Sequence, residues 1–67
     1  MSMIEGRIRY DNNYHGREAY VYEFRGSEDE EWQLETVFYL DGNDKLSYLA
    51  VATISEWMYN GIDFHFC

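Results

Sequence analysis

The sequence predicts a mainly β fold, a small antiparallel meander of four to five strands with one short C-terminal helix. Two observations lead to this prediction. Apolar and polar residues alternate with period two in several segments, which is typical of strands that bury one face. Clusters of glycine, asparagine and aspartate, which favour tight turns, separate these segments, and the chain contains no proline.

A first hairpin is predicted over residues 3–25. Apolar residues alternate with charged ones in residues 3–10, and residues 11–16 have the composition of a turn. The returning strand, residues 17–25, places three aromatic rings on one face. Cross-strand charge pairs are expected on the opposite face, because it brings together acidic and basic residues of both strands: Glu5, Arg7 and Arg9 with Arg17, Glu23 and Arg25.

The third strand follows an acidic loop. Residues 28–31 are four consecutive carboxylates, whose mutual repulsion favours a loop over regular structure. Residues 32–40 alternate again and form the predicted third strand, and residues 41–44 combine turn-forming side chains. We therefore expect the chain to reverse at residues 41–44 into a partner strand.

The segment after this turn admits two interpretations. We favour a strand over residues 45–54, followed by a short helix over residues 56–60 with Ser55 as its N-cap and Gly61 as its terminator. The alternative is an α+β fold with a single helix over residues 45–60, because the apolar residues there also fit a helical spacing and Asp44 can serve as an N-cap. Residues 62–66 alternate once more and form a final short strand.

Length and composition indicate a single small acidic domain over residues 1–67. A chain of 67 residues buries only ~60% of its extended surface, and a single cysteine forbids an intramolecular disulfide. Its stability must come from aromatic residues, which make up 19% of the chain, or from association, so a homodimer is one expected state. No apolar run resembles a signal peptide or a membrane span, and we expect a cytoplasmic protein, in the host cytoplasm if its origin is viral.

The net charge of −8 is concentrated in the second part of the chain. Acidic and basic residues balance in residues 1–25, whereas residues 26–67 hold nine acids against Lys45 alone. Such a field repels nucleic-acid phosphates and favours basic partners. We expect no direct binding of nucleic acid and no binding to membranes.

The residues that could carry chemistry are few. His15, His65 and Cys67 lack the spacing of a zinc site, and the glycines are not followed by a phosphate-binding sequence. A sheet of this size rarely forms a pocket deep enough to raise the pKa of a catalytic carboxyl group. The sequence therefore predicts a protein that is not an enzyme and that needs neither metal nor cofactor.

The acidic residues near aromatic side chains form the predicted partner-binding site. Carboxylates held on a sheet can imitate the regular charges of a nucleic-acid backbone, and aromatic residues are preferred anchors of protein interfaces. The expected function is a non-enzymatic inhibitor or nucleic-acid mimic that occupies a basic nucleic-acid-binding surface. In size and composition alone the chain is similar to small viral anti-defence proteins such as anti-CRISPR proteins and nuclease inhibitors. The alternative is a structural or oligomerisation protein that uses its aromatic sheet face. The predicted site residues are Glu28, Asp29, Glu30, Glu31, Trp32, Glu35, Tyr39, Asp41 and Asp44.

Overall fold

The computed structural model describes residues 5–42 and 44–67, with the side chains of 44–47 outside this description. Its elements, in chain order, are β1 (Glu5–Tyr14), β2 (Arg17–Arg25), β3 (Gln33–Tyr39), α1 (Asp44–Tyr59) and β4 (Asp63–Phe66). The four strands form one sheet in the order β3-β2-β1-β4. The prediction of a mainly β fold with one helix is confirmed. Residues 3 and 4 of the predicted first strand, and residue 43 of the predicted turn, lie outside the described residues.

The sheet is mixed rather than wholly antiparallel. Strands β1, β2 and β3 form the expected meander, but β4 pairs parallel to β1. The physical reason is the helix: β3 and β4 run in the same direction, and α1 connects them as a crossover over one face of the sheet. Parallel strands require a crossover of this kind, which a hairpin turn cannot provide.

The first hairpin has a tighter turn than residues 11–16 predicted. Strand β1 continues to Tyr14, which pairs with Arg17, and only His15 and Gly16 form the turn. Both have positive φ, at 53° and 83°, as a two-residue type I′ turn requires. The asparagines before the turn form an irregularity between residues 11 and 14 of the strand, where the Asp11 carboxylate accepts a hydrogen bond from the Asn13 N–H at 2.9 Å.

The predicted strand over residues 45–54 is wrong. Those residues belong to α1, which spans sixteen residues from Asp44 to Tyr59 and so corresponds to the alternative interpretation. Ser55 and Glu56 consequently lie near the C-terminal end of this helix instead of beginning one. The helical spacing of the apolar residues outweighs their β propensity, because it places Ala50, Ile54 and Trp57 together on the sheet.

The end of α1 occurs where Gly61 predicted it. The Ile62 N–H donates to the Trp57 carbonyl at 2.9 Å and the Gly61 N–H to the Met58 carbonyl at 3.2 Å. This pattern is a Schellman motif, and it requires the positive φ of 68° that Gly61 adopts. The motif turns the chain directly into β4.

The two faces of the sheet are covered differently. The helix covers the face that carries Ile8 and Tyr22, and these residues form the core with Ala50 and Trp57. Partly buried residues surround this core: Phe24, Phe38, Ile54, Ile62 and Phe64. The opposite face carries the charged residues of β1 and β2, together with the buried Ala19 and Val21. On this face Val21 is the cross-strand neighbour of Arg9, and Ala19 is the cross-strand neighbour of Tyr39.

Candidate functional site

Among the described side chains, most of the carboxylates that form no ion pair lie at one end of the molecule, where the register of the sheet brings several segments together. At this end β1 and β4 begin, β2 ends and β3 begins, because Glu5 pairs with both Arg25 and Asp63 and Phe24 pairs with Gln33. The helix also ends here. We call this region the acidic end, and its acidic residues are Glu28, Asp29, Glu30, Glu31, Glu56 and Asp63.

The loop of residues 26–32, which connects β2 to β3, holds four of these carboxylates. A hydrogen bond of 3.1 Å from the Glu30 N–H to the Ser27 carbonyl closes a turn. The Arg25 guanidinium donates to the Glu28 carbonyl at 3.3 Å, and the Glu30 carboxylate accepts from the Gly26 N–H at the same distance. The loop backbone is therefore a hydrogen-bonded turn attached to the end of β2, and the Glu30 carboxylate is tied into it, whereas the side chains of Glu28, Asp29 and Glu31 are exposed.

Trp32 fixes the other side of this loop to the sheet. Its ring lies beneath two guanidinium groups, with the Cζ of Arg7 4.3 Å and the Cζ of Arg25 4.4 Å from the ring centroid. The His65 ring approaches edge-on, at 6.5 Å between centroids. Trp32 is half-buried in these contacts. It thus acts first as an anchor of the acidic loop, and only its remaining surface is open to a partner.

All four arginines form ion pairs within the molecule. Glu5 pairs with Arg25 at 2.7 Å, and these two residues are direct cross-strand neighbours. The Glu23 carboxylate bridges Arg7 at 2.8 Å and Arg9 at 3.0 Å. The predicted charge pairs across β1 and β2 are thereby confirmed for the pairs Glu5–Arg25 and Arg7–Glu23.

This pairing decides where the excess negative charge lies. Every arginine of the chain pairs with an acid that is outside the acidic loop. Among the described side chains, none forms an ion pair with Glu28, Asp29 or Glu31, which are exposed. The helix adds to this field, since its C-terminal end carries partial negative charge and its last turn contains no basic residue.

The remaining predicted site residues do not join the acidic end. Tyr39 and Asp41 lie at the far end of β3, about 20 Å away along a strand that rises about 3.3 Å per residue. There Arg17 donates hydrogen bonds to Asp41, at 2.8 Å from its Nε, and its Cζ lies 3.7 Å from the centroid of the Tyr39 ring. The Arg17 guanidinium lowers the pKa of Asp41, chiefly through these hydrogen bonds.

Glu35 and Asp44 occupy separate places. Glu35 is exposed on the edge strand β3, at the irregularity where the register with β2 shifts. Asp44 begins α1 at the far end of the sheet, and its side chain lies outside the described residues. The predicted set is therefore divided, with residues 28–32 at the acidic end and residues 39, 41 and 44 at the other.

Sequence reasoning missed two members of the acidic end, Glu56 and Asp63. The favoured interpretation of the sequence places Glu56 in the first turn of a short helix, whereas it lies in the last turn of α1. Asp63 joins this end because β4 runs parallel to β1 and begins beside Glu5. The alternative interpretation, a single helix over residues 45–60, would have placed Glu56 near the end of that helix. The parallel pairing of β4, which brings Asp63 to this end, has no local signal in the sequence.

Metal binding and membrane insertion are two further possibilities for the described part of the chain. No group of three or more histidine, cysteine, aspartate or glutamate side chains is arranged there to hold a metal ion. His65 packs against Trp32, and Cys67 is an exposed free thiol. No described helix combines the length and the apolar character needed to cross a membrane.

No protein-family model, curated protein or solved structure matches this chain. Its function is therefore inferred from its own residues and their geometry.

Proposed function

We propose that this protein is a non-enzymatic binding module that docks its acidic end onto a basic, nucleic-acid-binding surface of another protein. It would act there as an inhibitor, by occupying the surface that nucleic acid otherwise contacts. A small anti-defence protein of a virus, active in the host cytoplasm, is the biological setting that fits this role. The observation that carries the proposal is the acidic loop, whose backbone Arg25 and Trp32 attach to the sheet while its carboxylates form no ion pair among the described side chains.

The rigidity of the loop is the first support. A loop that is already ordered loses little conformational entropy on binding, so more of its interaction energy appears as affinity. Arg25 makes this order possible, because it simultaneously pairs with Glu5, donates to the Glu28 carbonyl and stacks on Trp32. The loop side chains that remain exposed are the acids, which is the arrangement a basic partner requires.

The distribution of charge is the second support. Phosphates follow one another every ~3.4 Å along each strand of a nucleic acid, and consecutive carboxylates on a compact turn have a comparable charge density. The arginines of the chain are engaged by other acids, so they do not cancel the field of the acidic end. Complementary charge of this kind accelerates association and makes it sensitive to salt.

A capture experiment with matched variants tests the proposal. The tagged protein is used to capture partners from a lysate of its host, at low and at high salt, and the retained proteins are identified by mass spectrometry. The test variant combines Glu28→Gln, Asp29→Asn and Glu31→Gln, and leaves Glu30 unchanged because its carboxylate binds the Gly26 N–H. The expected result is a basic partner that the native protein retains at low salt, that heparin displaces, and that the variant loses.

The control variant removes the same number of charges away from the acidic end. It combines Asp11→Asn, Glu18→Gln and Asp41→Asn, so its net charge equals that of the test variant. Circular dichroism confirms that both variants keep the fold. If the control loses the partner to the same extent, total charge rather than the acidic end is responsible, and if the test variant retains the partner the proposal is wrong.

A further inference from the structure

An apolar groove lies on the helix-covered side of the sheet, lined by residues of β1, β2, β3, β4 and α1. Its volume is about 400 Å³, and its floor includes the buried residues Ile8 and Tyr22. Its walls are formed by Tyr20, Phe38, Val51 and Phe66. All of these residues are uncharged, in a chain whose surface elsewhere is strongly acidic.

The rim of the groove is unusually exposed for apolar side chains. Phe66 on β4 is 69% exposed and Val51 on α1 is 63% exposed. Tyr48, one turn before Val51 and on the same side of the helix, is 73% exposed. Tyr10 extends the patch on the sheet, with its ring 5.7 Å from that of Tyr20, and its hydroxyl donates to the Glu18 carboxylate, which borders the patch. A contiguous apolar patch of this kind marks an interaction surface.

We propose that this groove is the interface of a symmetric homodimer, and that its occupant is a second copy of the same chain. A twofold interface requires one patch that contains both a hollow and a projection that fits it. The groove is the hollow, and the Phe66 ring at its rim is the projection, so each copy can seat its Phe66 in the groove of the other.

The available area is sufficient for a dimer. An aromatic side chain presents ~150–250 Å² of surface, so the exposed parts of Tyr10, Tyr20, Tyr48 and Phe66 with Val51 amount to roughly 500 Å² in each copy. Two copies would bury about 1,000 Å², which is near the lower limit for a specific interface. The gain in stability matters here, because the described core contains only a few fully buried side chains.

The charge distribution favours a dimer through this groove over other contacts. Two chains of charge −8 repel each other, so an association of copies must keep the acidic ends apart. Ile8 and Phe66 are paired three residues from the start of β1 and β4, and Tyr20 lies farther still from the acidic end. An antiparallel apposition of the two grooves therefore directs the acidic ends away from each other.

Sedimentation velocity over a range of concentrations tests this inference, at low and at high salt. The native chain is expected to approach twice its mass of 8.1 kDa as concentration rises. High salt should strengthen the dimer, since it screens the repulsion between copies while leaving apolar burial intact. The effect of salt distinguishes this test from that of the proposed function. High salt should strengthen the dimer, whereas it should weaken the docking of the acidic end onto a basic partner.

Two single variants locate the interface. Val51→Glu places a carboxylate at the groove and should raise the dissociation constant of the dimer by about tenfold or more, since a buried charge would lack a partner. Leu34→Glu adds the same charge at an apolar residue that is 54% exposed on β3, outside the groove, and should leave most of the dimer intact. Circular dichroism verifies that both variants keep their helix and sheet.

Three outcomes would overturn the inference. The native chain could remain a monomer at high concentration and high salt. Leu34→Glu could dissociate the dimer as strongly as Val51→Glu, which would place the interface elsewhere. The chain could also remain monomeric while a small apolar dye binds to it in a manner that Val51→Glu abolishes, which would make the groove a site for a small molecule instead.

Discussion

The indole ring of Trp57 packs directly onto the Cα of Gly6. A Cβ atom at position 6 would lie 2.8 Å from Cζ3 and 2.9 Å from Cη2 of that ring, closer than carbon atoms approach in folded proteins. Because Gly6 has no side chain, the last turn of α1 can lie close to the start of β1, where the acidic end is formed. This contact sets the position of the helix end relative to the acidic loop.

Substitution of this glycine should therefore loosen the helix. We expect Gly6→Ala to lower the free energy of unfolding by about 1–3 kcal/mol, the usual cost of overpacking a rigid core. The measurement is urea denaturation followed by tryptophan fluorescence. The matched test is Gly6→Ala in a Trp57→Phe background, where the smaller ring leaves room for the methyl group. The cost of Gly6→Ala should fall there, and an equal cost in both backgrounds would contradict the contact.

Removal of the Trp32 ring should loosen the acidic loop. In Trp32→Ala the guanidinium groups of Arg7 and Arg25 lose their stacking surface, which contributes about 0.5–1 kcal/mol per contact. A protease that cleaves after glutamate should then cut the loop faster, since Glu28, Glu30 and Glu31 become more accessible. Trp32→Phe keeps part of the stacking and should show an intermediate rate, whereas equal rates for all three proteins would argue against an anchoring role.

The meander could be predicted because its signals are local. Period-two alternation gave β1, β2 and β3, and the charge pairs between Glu5 and Arg25 and between Arg7 and Glu23 followed from facing positions in the hairpin. The Schellman end of α1 was also predictable, because Gly61 can adopt the required positive φ. These features depend on neighbours in sequence or across one tight turn.

The features that the sequence predicts wrongly depend on contacts between residues that are far apart in sequence. Residues 45–54 combine β-branched side chains with a helical spacing, and packing of Ala50 and Trp57 on the sheet decides between the two. The parallel pairing of β4 follows from that helix. The wrong prediction of a strand over residues 45–54 therefore also led to the wrong prediction of a wholly antiparallel sheet. The charge of Asp41 alone predicts that it belongs to the site, but its ion-pair partner Arg17 lies 24 residues away in sequence.

The Glu23 carboxylate should be the most important acid for the stability of the sheet. It bridges Arg7 and Arg9, and its side chain is only 12% exposed. Glu23→Gln removes the negative charge that Arg7 and Arg9 share, and Arg9 alone keeps a second carboxylate, that of Asp11, so we expect a loss of about 1–3 kcal/mol of unfolding free energy. The control is Glu5→Gln, which removes a negative charge that pairs with Arg25 alone and should cost less. Urea denaturation of both variants gives the comparison, and an equal or larger loss for Glu5→Gln would refute this ranking.

The pair Arg17–Asp41 should give the far end of the sheet a measurable pH dependence. Hydrogen bonds from Arg17 hold the pKa of Asp41 below its ordinary value of 3.8. A carboxyl group whose pKa is lower in the folded than in the unfolded state stabilises the fold fully above the ordinary value. That stabilisation disappears as the pH falls through the folded pKa.

A titration by carbon-detected NMR measures this pKa directly. Asp41 should titrate below 3.8 in the native chain, and Arg17→Gln should move its midpoint upward towards that value, because the donor hydrogen bonds are lost. Arg9→Gln removes an arginine that pairs with Asp11 and Glu23 instead, and it should leave the Asp41 midpoint in place. A midpoint that does not respond to Arg17→Gln would mean that this ion pair does not persist in solution. Asp41 would then be a free carboxylate, available to a partner as the sequence alone predicts.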